Sequence, residues 1–254
     1  MKPTFLHQMK PLNTCMIQSP NPTHAICLAR NGVYDGAEAF GFQYESLEAN
    51  YHTEADVKSI FRQMGNRPIY VTNYRGHANE GKSDEELVDG LLDLVRWGAT
   101  MADVMGDFFC PDPLQLTRDP AAVEKQMDVI ERIHHAGGEV LMSSHTMKFM
   151  SADEVMAIAL AHKERGADIA KIVTAANNED EELENLRTTT ILRRELGIPF
   201  LFLSAGSHNR FHRTIGPMLG CAMWLTVHEQ TPFSTRPQPH TRAIREIEAN
   251  FDYR

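Results

Sequence analysis

The chain alternates short apolar runs with longer amphipathic stretches, and this alternation limits what it can fold into more than any other feature. We count eight runs typical of β-strands, most of them followed by a stretch with helical periodicity. Alternation of this kind is typical of parallel strands joined by right-handed helical crossovers. Eight such units in 254 residues match a (β/α)8 barrel. We therefore predict a single α/β domain with the TIM-barrel architecture.

Local signals set the expected boundaries. The predicted strands cover residues 24–30, 37–47, 68–74, 101–108, 139–143, 169–174, 199–203 and 222–227. Capping boxes that begin at Ser83 and Ser151, and Asp119 followed by a proline, mark three helix starts. Residues 1–20 contain three prolines and little periodicity, so we predict an irregular N-terminal arm there and the barrel over residues 21–254. An open doubly wound sheet is the competing fold, but no glycine-rich nucleotide motif supports it.

Charge and cysteine content narrow the functional classes. The net charge is −9 and no basic block is present, so we expect neither nucleic acid nor a membrane surface as the main partner. No run of 18 uncharged apolar residues predicts a membrane span, and the first 20 residues do not have the pattern of a signal peptide. The cysteines show no metal or disulfide spacing, which favours reduced thiols in a cytoplasmic protein. They are Cys15, Cys27, Cys110 and Cys221.

Lys171 is the most informative single residue, because it lies in the middle of an apolar run expected to be buried. Desolvation lowers the pKa of a lysine and makes its free amine a nucleophile toward carbonyl groups. His145 ends the preceding predicted strand, so both side chains can face one pocket, where the imidazole would serve as a general base. For Lys171 the alternatives are a surface position on an edge strand or a structural ion pair. For His145 the alternative is a histidine packed beneath a loop.

Two segments around these residues resemble the type I 3-dehydroquinate dehydratase family. They are Leu141-Met-Ser-Ser-His145 and Gly166-Ala-Asp-Ile-Ala-Lys-Ile-Val173, and the resemblance extends over residues 24–238 at low overall similarity. It implies that Lys171 forms a Schiff base with a substrate ketone and that His145 transfers protons.

The resemblance also implies further site residues. Arg75 matches an arginine after strand 3, and Glu80 matches a glutamate that orients the catalytic histidine. The spacing here is five rather than four, which leaves Asn79 as the alternative. Arg213 matches the arginine that binds the substrate carboxylate, with Arg210 as the alternative.

The remaining matches lie at two loops. Ser234 and Gln238 match a serine and a glutamine that hold the carboxylate end and close a lid. At the end of strand 2 the family has Glu-x-Arg, and both of those residues contact substrate hydroxyls. This chain has Gln43 and Glu45 there, so a carboxylate replaces the arginine and an altered substrate is a real alternative.

We therefore predict a Schiff-base dehydratase that removes water from a cyclic β-hydroxy ketone carboxylate, as in the conversion of 3-dehydroquinate to 3-dehydroshikimate. A class I aldolase, which uses the same kind of barrel and lysine, is the alternative. A metal-dependent isomerase or hydrolase built on strand-end histidines is a second rival. We expect a small anionic carbonyl substrate, no cofactor, no metal and a homodimer. The residues suggesting the metal site are His77, His145, His208 and Glu80.

Overall fold

The computed structural model describes residues 3–251 of the chain. Within this part, eight parallel strands form one sheet whose order is β7-β6-β5-β4-β3-β2-β1-β8. The strands are β1 (Leu12–Ile17), β2 (Ala39–Gln43), β3 (Ile69–Thr72), β4 (Met101–Met105), β5 (Glu139–His145), β6 (Ile169–Ala175), β7 (Phe200–Ala205) and β8 (Met223–Thr226).

Eight α-helices in the same described range follow the strands in alternation. They are α1 (Pro22–Asp35), α2 (Glu54–Met64), α3 (Asp84–Arg96), α4 (Pro120–His135), α5 (Ala152–Glu164), α6 (Glu179–Glu195), α7 (Arg210–Ile215) and α8 (Thr241–Glu248). Both predicted capping boxes are formed, at Ser83 and Ser151. Asp119 caps α4 as expected, with Pro120 in its first turn. None of these helices is long and apolar enough to cross a lipid bilayer.

The sheet closes on itself almost completely. β1 pairs with both β2 and β8, so the first and last strands lie side by side. At the remaining seam, between β7 and β8, the backbone N–H of Ala222 donates to the carbonyl of Phe200 over 2.8 Å. The predicted (β/α)8 barrel is thereby confirmed.

The predicted start of the barrel is wrong by one element. Residues 12–17, expected within the irregular arm, form β1, so the irregular segment in the described chain is residues 3–11. This strand was not predicted because Asn13 interrupts its apolar pattern. The side chain of Asn13 is nevertheless buried and bonds to Thr226 and Thr241. Residues 24–30, expected as the first strand, lie in α1, which Asn21 caps and which has a proline at its start. Residues 1–2 of the predicted arm and 252–254 of the predicted domain lie outside the described residues.

The irregular segment seals one end of the barrel. Phe5 is 1% exposed and belongs to an apolar cluster with residues of the barrel strands, and its N–H donates to the carboxylate of Glu139 at the start of β5. The opposite end, where the strands finish, carries the polar side chains predicted for the site. Barrel enzymes place their active sites at this end.

Candidate active site

Lys171 lies in the middle of β6 and points into the barrel, only 4% exposed. Its Nζ donates to three acceptors: the hydroxyl of Tyr70 at 2.9 Å, the hydroxyl of Tyr74 at 2.6 Å and Oδ2 of Asp103 at 3.1 Å. Three acceptors match the three N–H bonds of an ammonium group. The resting lysine is therefore fully hydrogen-bonded, although it is buried.

Asp103, on β4, is the counter-charge of this lysine. Both phenols donate to its Oδ2, and Ser143 donates to its Oδ1 over 2.5 Å. Burial opposes ionisation of the carboxyl, but the charge of Lys171 and the three hydroxyl bonds outweigh it, so the pKa of Asp103 lies below its ordinary value. Burial, reinforced by the charge of Asp103, raises the pKa values of Tyr70 and Tyr74 well above the usual range. The cluster therefore holds one carboxylate and two neutral phenols.

His145 ends β5 next to this cluster. Ser143, two residues earlier on the same strand, lies opposite Lys171 in the sheet register. The ring of Tyr74 meets the imidazole edge-on, with 5.5 Å between ring centroids, while its hydroxyl reaches Lys171. Burial, together with the charge of Lys171, lowers the pKa of His145 to about 3. The imidazole is therefore neutral at physiological pH and can accept a proton.

The residue that holds His145 is Gln115, in the loop between β4 and α4. Its Oε1 lies 2.8 Å from Nδ1 of His145 and accepts from the backbone N–H of the same residue over 3.0 Å. The family-based assignment of this role to Glu80 finds no geometric support, because Glu80 is exposed and its carboxylate contacts no polar group within residues 3–251. Asn79 is buried but bonds to Asn73, Tyr74 and Lys82 instead.

Arg75 is occupied by carboxylates. Its guanidinium makes two hydrogen bonds to Asp84, at 2.7 and 2.8 Å, and one to Asp107 at 3.0 Å. Its positive charge is therefore compensated within the protein. The side chain that reaches the lysine from this part of the chain is the preceding residue, Tyr74.

Arg213, on α7, is the contrasting arginine. It is 7% exposed, and its Nε donates to the backbone carbonyl of Ser204 over 2.6 Å. No carboxylate in the described chain lies within ion-pair distance of it, and burial lowers its pKa to about 10. Its charge lowers the pKa of the His145 imidazole further, after burial and the charge of Lys171. A buried and uncompensated guanidinium is suited to an anionic ligand.

The model of the type I 3-dehydroquinase family matches residues 31–250. The chain belongs to the type I 3-dehydroquinase family. The expected resemblance to the type I 3-dehydroquinate dehydratase family is thus confirmed.

Individual relatives are distant. The chain is 24% identical over 178 residues to a 3-dehydroquinate dehydratase of Aromatoleum aromaticum, which covers 68% of this chain and 64% of that protein. It is 27% identical over 120 residues to one of Alkaliphilus oremlandii, which covers 46% of each. The matched segments thus span less than two thirds of either relative.

Solved structures support the fold. The 3-dehydroquinate dehydratase of Geobacillus kaustophilus superposes with a TM-score of 0.79 at 18% identity, covering 96% of this chain and 93% of that one. The type I enzyme of Clostridium difficile, solved with covalently modified comenic acid, gives a TM-score of 0.76 at 18% identity, covering 95% and 92%. At this identity the likeness concerns the fold alone.

The end of β2 carries Gln43 and Glu45, where the resemblance leads us to expect Glu-x-Arg. Glu45 is 3% exposed, and the single hydroxyl hydrogen of Thr72 is shared between its two carboxyl oxygens, at 2.8 and 3.0 Å. It also accepts a hydrogen bond from the N–H of Tyr74 at 3.4 Å. Burial raises its pKa to about 7. Gln43 accepts a hydrogen bond from Gln18, at the end of β1. The position at which the resemblance leads us to expect an arginine therefore carries a buried carboxyl group, bonded to the backbone of Tyr74.

The predicted lid residues of the family stay within their own loop. The hydroxyl of Ser234 accepts from the N–H of Thr231 over 3.0 Å. Gln238 lines a cavity of about 290 Å³ together with Arg210, and its buried Oε1 has no partner in the described chain. Neither residue contacts Lys171 here. The loop is instead tied to β1 through Gln18 and Thr235.

The metal-site rival lacks a ligand set. Within residues 3–251, no three histidine, cysteine, aspartate or glutamate side chains come close enough together to hold a metal ion. His77 is exposed, and His208 bonds to the neighbouring hydroxyl of Ser207.

Sequence reasoning missed four residues of the cluster. Asp103 interrupts an apolar strand just as Lys171 does, so the signal that singled out the lysine applied equally to it. Tyr70 and Tyr74 carried no such signal, because tyrosine is common in strands. Gln115 lies in a loop with a left-handed backbone, which its sequence does not mark.

Proposed function

We propose that this member of the family is a Schiff-base-forming dehydratase acting on a β-hydroxy ketone with a carboxylate group, either 3-dehydroquinate or a close analogue. One observation carries the proposal: Tyr74 contacts both the buried amine of Lys171, through its hydroxyl, and the neutral imidazole of His145, through its ring. An amine and a base in one pocket are the two groups that imine-based elimination requires.

Formation of the Schiff base requires the lysine to release two protons. Condensation of an ammonium group with a ketone gives a protonated imine and one water, so both released protons leave with the carbonyl oxygen. Asp103 is the charged acceptor already bonded to Nζ, at 3.1 Å, and it can take the first proton so that the lone pair attacks the carbonyl carbon. Tyr74 bonds to both Nζ and Asp103, so its hydroxyl offers a path that returns this proton to the departing oxygen.

Elimination then uses His145. The protonated imine withdraws electrons and acidifies the neighbouring C–H, and the imidazole removes that proton to form an enamine. The enamine electrons expel the β-hydroxyl, which takes the proton from the imidazolium and leaves as water. Addition of water to the resulting unsaturated imine releases the enone and restores the amine. A placed acid–base group of this kind contributes about 10²–10⁴-fold to the rate.

The substrate carboxylate would bind at Arg213, the buried guanidinium that has no counter-ion among residues 3–251. An altered substrate is supported by two features: Glu45 replaces a family arginine, and Arg75 is held by Asp84 and Asp107. Such an analogue would have the ketone and carboxylate of 3-dehydroquinate but a different pattern of ring hydroxyls. Ser234 and Gln238 would reach it only after their loop moves inward.

Borohydride trapping tests this proposal. The protein is incubated with 3-dehydroquinate, or with other β-hydroxy ketone carboxylates, and is then reduced and mapped by mass spectrometry. We expect an adduct on Lys171, an enone absorbing in the ultraviolet, and loss of both in Lys171→Met but not in Lys58→Met, which alters an exposed lysine. Dehydration without an adduct would refute the mechanism. Release of two carbonyl fragments would favour the class I aldolase.

We also propose, on the family resemblance, that the chain forms homodimers. Sedimentation velocity at micromolar concentration tests this, and a monomer at all concentrations would contradict it. A cytoplasmic location is supported by the thiols, which are free at all four cysteines. Fractionation of cells that produce the protein tests the location.

A further inference from the structure

We infer that Gln115 is a positioning residue that fixes the tautomer of His145, so that Nδ1 carries the hydrogen and Nε2 is the atom that takes the substrate proton. This inference deepens the proposed function and rests on it for its catalytic meaning. The resemblance to the family assigned the orientation of His145 to Glu80, whereas this inference assigns it to the side-chain amide of Gln115, in a different loop.

The argument begins with the backbone. The N–H of His145 can only donate, so the Gln115 atom 3.0 Å from it must be an acceptor, which identifies that atom as the amide oxygen. The same oxygen lies 2.8 Å from Nδ1 of the imidazole. An amide oxygen cannot donate, so Nδ1 must carry the hydrogen. The neutral ring then has its lone pair on Nε2, for which no polar partner exists among the described residues.

The loop that carries Gln115 is fixed in place. Gln115 has a left-handed backbone with φ of 49°, and its carbonyl accepts a hydrogen bond from Ser144 over 2.7 Å. The hydroxyl of Ser144 also lies 3.0 Å from Nε2 of His162 and is hydrogen-bonded to it. Because the Ser144 hydrogen is used by Gln115, the contact nitrogen of His162 must donate. The amide is therefore positioned by the residue that precedes His145 on β5.

Gly106 and Arg165 hold the two sides of the loop. A Cβ atom on Gly106 would lie 2.6 Å from the carbonyl oxygen of Gln115, so only glycine permits the observed approach. Arg165 donates to the carbonyl of Gly106 at 2.9 Å and to that of Thr117 at 2.5 Å. The buried guanidinium of Arg165 is therefore hydrogen-bonded to the backbone both before and after Gln115 in the chain.

An amide differs from a carboxylate in its effect on the base. It selects the tautomer but adds no negative charge that would stabilise the imidazolium. The other charged groups facing His145 are Lys171 on β6, Arg213 on α7 and Asp103 on β4. Burial and the excess of two cations over one anion lower the pKa of the ring, so it retains its base form in acid.

Nitrogen-15 NMR of histidine-labelled protein tests the inference directly, with the His145→Ala spectrum used for assignment. In the unmodified protein we expect Nδ1 protonated and Nε2 unprotonated at neutral pH. In Gln115→Leu this preference should be lost, and kcat should fall by about 10- to 100-fold, less than the full acid–base contribution. The matched control Gln63→Leu, on α2, should change neither. A proton on Nε2 in the unmodified protein, or an unchanged tautomer in Gln115→Leu, overturns the inference.

A second variant covers the case in which Gln115→Leu disturbs the loop. Gln115→Glu keeps the acceptor and adds a charge, so the tautomer should persist while the pKa of His145 rises by at least about one unit. Protonated imidazole cannot act as the base, so the acidic limb of kcat/KM should move to higher pH. An unchanged profile contradicts a direct contact. If no ketone is trapped on Lys171 in any variant, the proposed function fails, but the NMR result still decides the role of Gln115.

Discussion

The amine of Lys171 and the carboxylate of Asp103 form an ion pair inside the barrel, with 3.1 Å between Nζ and Oδ2 and side-chain exposures of 5% and 0%. Removing one partner of a buried pair leaves an uncompensated charge and costs about 3–5 kcal/mol of stability. We therefore expect Asp103→Asn to lower the free energy of unfolding by that amount. Urea denaturation followed by circular dichroism measures it.

Two further variants show whether the charge is responsible. Asp89→Asn removes an exposed partner of Arg132 and should cost less than about 1 kcal/mol. Adding Lys171→Met to Asp103→Asn removes the stranded ammonium and should recover part of the lost stability. A double variant no more stable than Asp103→Asn alone would show that the loss comes from packing.

The hydroxyl of Tyr74 should matter for Schiff-base formation. Tyr74→Phe keeps the ring against His145 but removes the acceptor 2.6 Å from Nζ of Lys171. A hydrogen bond to a charged group contributes about 1.5–3 kcal/mol, so we expect the rate of adduct trapping to fall by about 10- to 100-fold. Quenched-flow reduction with borohydride measures this rate. Tyr34→Phe, which alters a tyrosine that is 88% exposed, is the control.

An unchanged trapping rate in Tyr74→Phe would leave Tyr70 as the relevant phenol, since it makes the equivalent pair of bonds to Lys171 and Asp103. Tyr70 is completely buried, whereas Tyr74 is partly exposed at the mouth of the barrel. Comparing the trapping rates of Tyr74→Phe and Tyr70→Phe therefore distinguishes a phenol that assists the reaction at the barrel mouth from one that only holds Lys171 in place.

The alternation of strands and helices was enough to predict the barrel, because each amphipathic helix has only one way to cover a parallel strand. It failed at the first strand for a physical reason. Asn13 is buried there because its side chain is satisfied by Thr226 and Thr241, which are distant in sequence. Such compensation depends on the closed barrel and cannot be seen in a local window.

The candidate site, like the fold, was predictable from the sequence only in part. Lys171 and His145 stand out locally, because one is charged within an apolar strand and the other ends the neighbouring strand. Arg75 and Glu80 did not, since their assignment depended only on the spacing of residues within a loop. The side chain that reaches the lysine there is Tyr74, one residue earlier, and only tertiary geometry distinguishes the two.

Arg213 and Arg75 should differ in their effect on substrate binding. Arg213→Met removes the uncompensated guanidinium, and loss of its charged hydrogen bonds should raise KM by about 10- to 100-fold. Arg75→Met breaks ion pairs with Asp84 and Asp107, so it should lower stability and leave KM unchanged. Steady-state kinetics together with thermal denaturation separate the two effects. A raised KM in Arg75→Met or in Arg210→Met, rather than in Arg213→Met, would move the carboxylate site.

Glu45 should make stability depend on pH in an identifiable way. Burial raises its folded-state pKa to about 7 from an ordinary value of 4.5, so the folded protein holds this proton more tightly than the unfolded chain does. Its contribution to stability is fully present below pH 4.5 and is lost as the pH rises through 7, to a total of about 3 kcal/mol.

The variant Glu45→Gln keeps an acceptor for the hydroxyl of Thr72 but has no group that titrates. The free energy of unfolding of this variant, relative to the unmodified protein, should therefore increase between pH 4.5 and 8, whereas the exposed control Glu54→Gln should differ little at either pH. A difference between Glu45→Gln and the unmodified protein that stays constant with pH would mean that Glu45 ionises in the folded barrel as readily as in the unfolded chain.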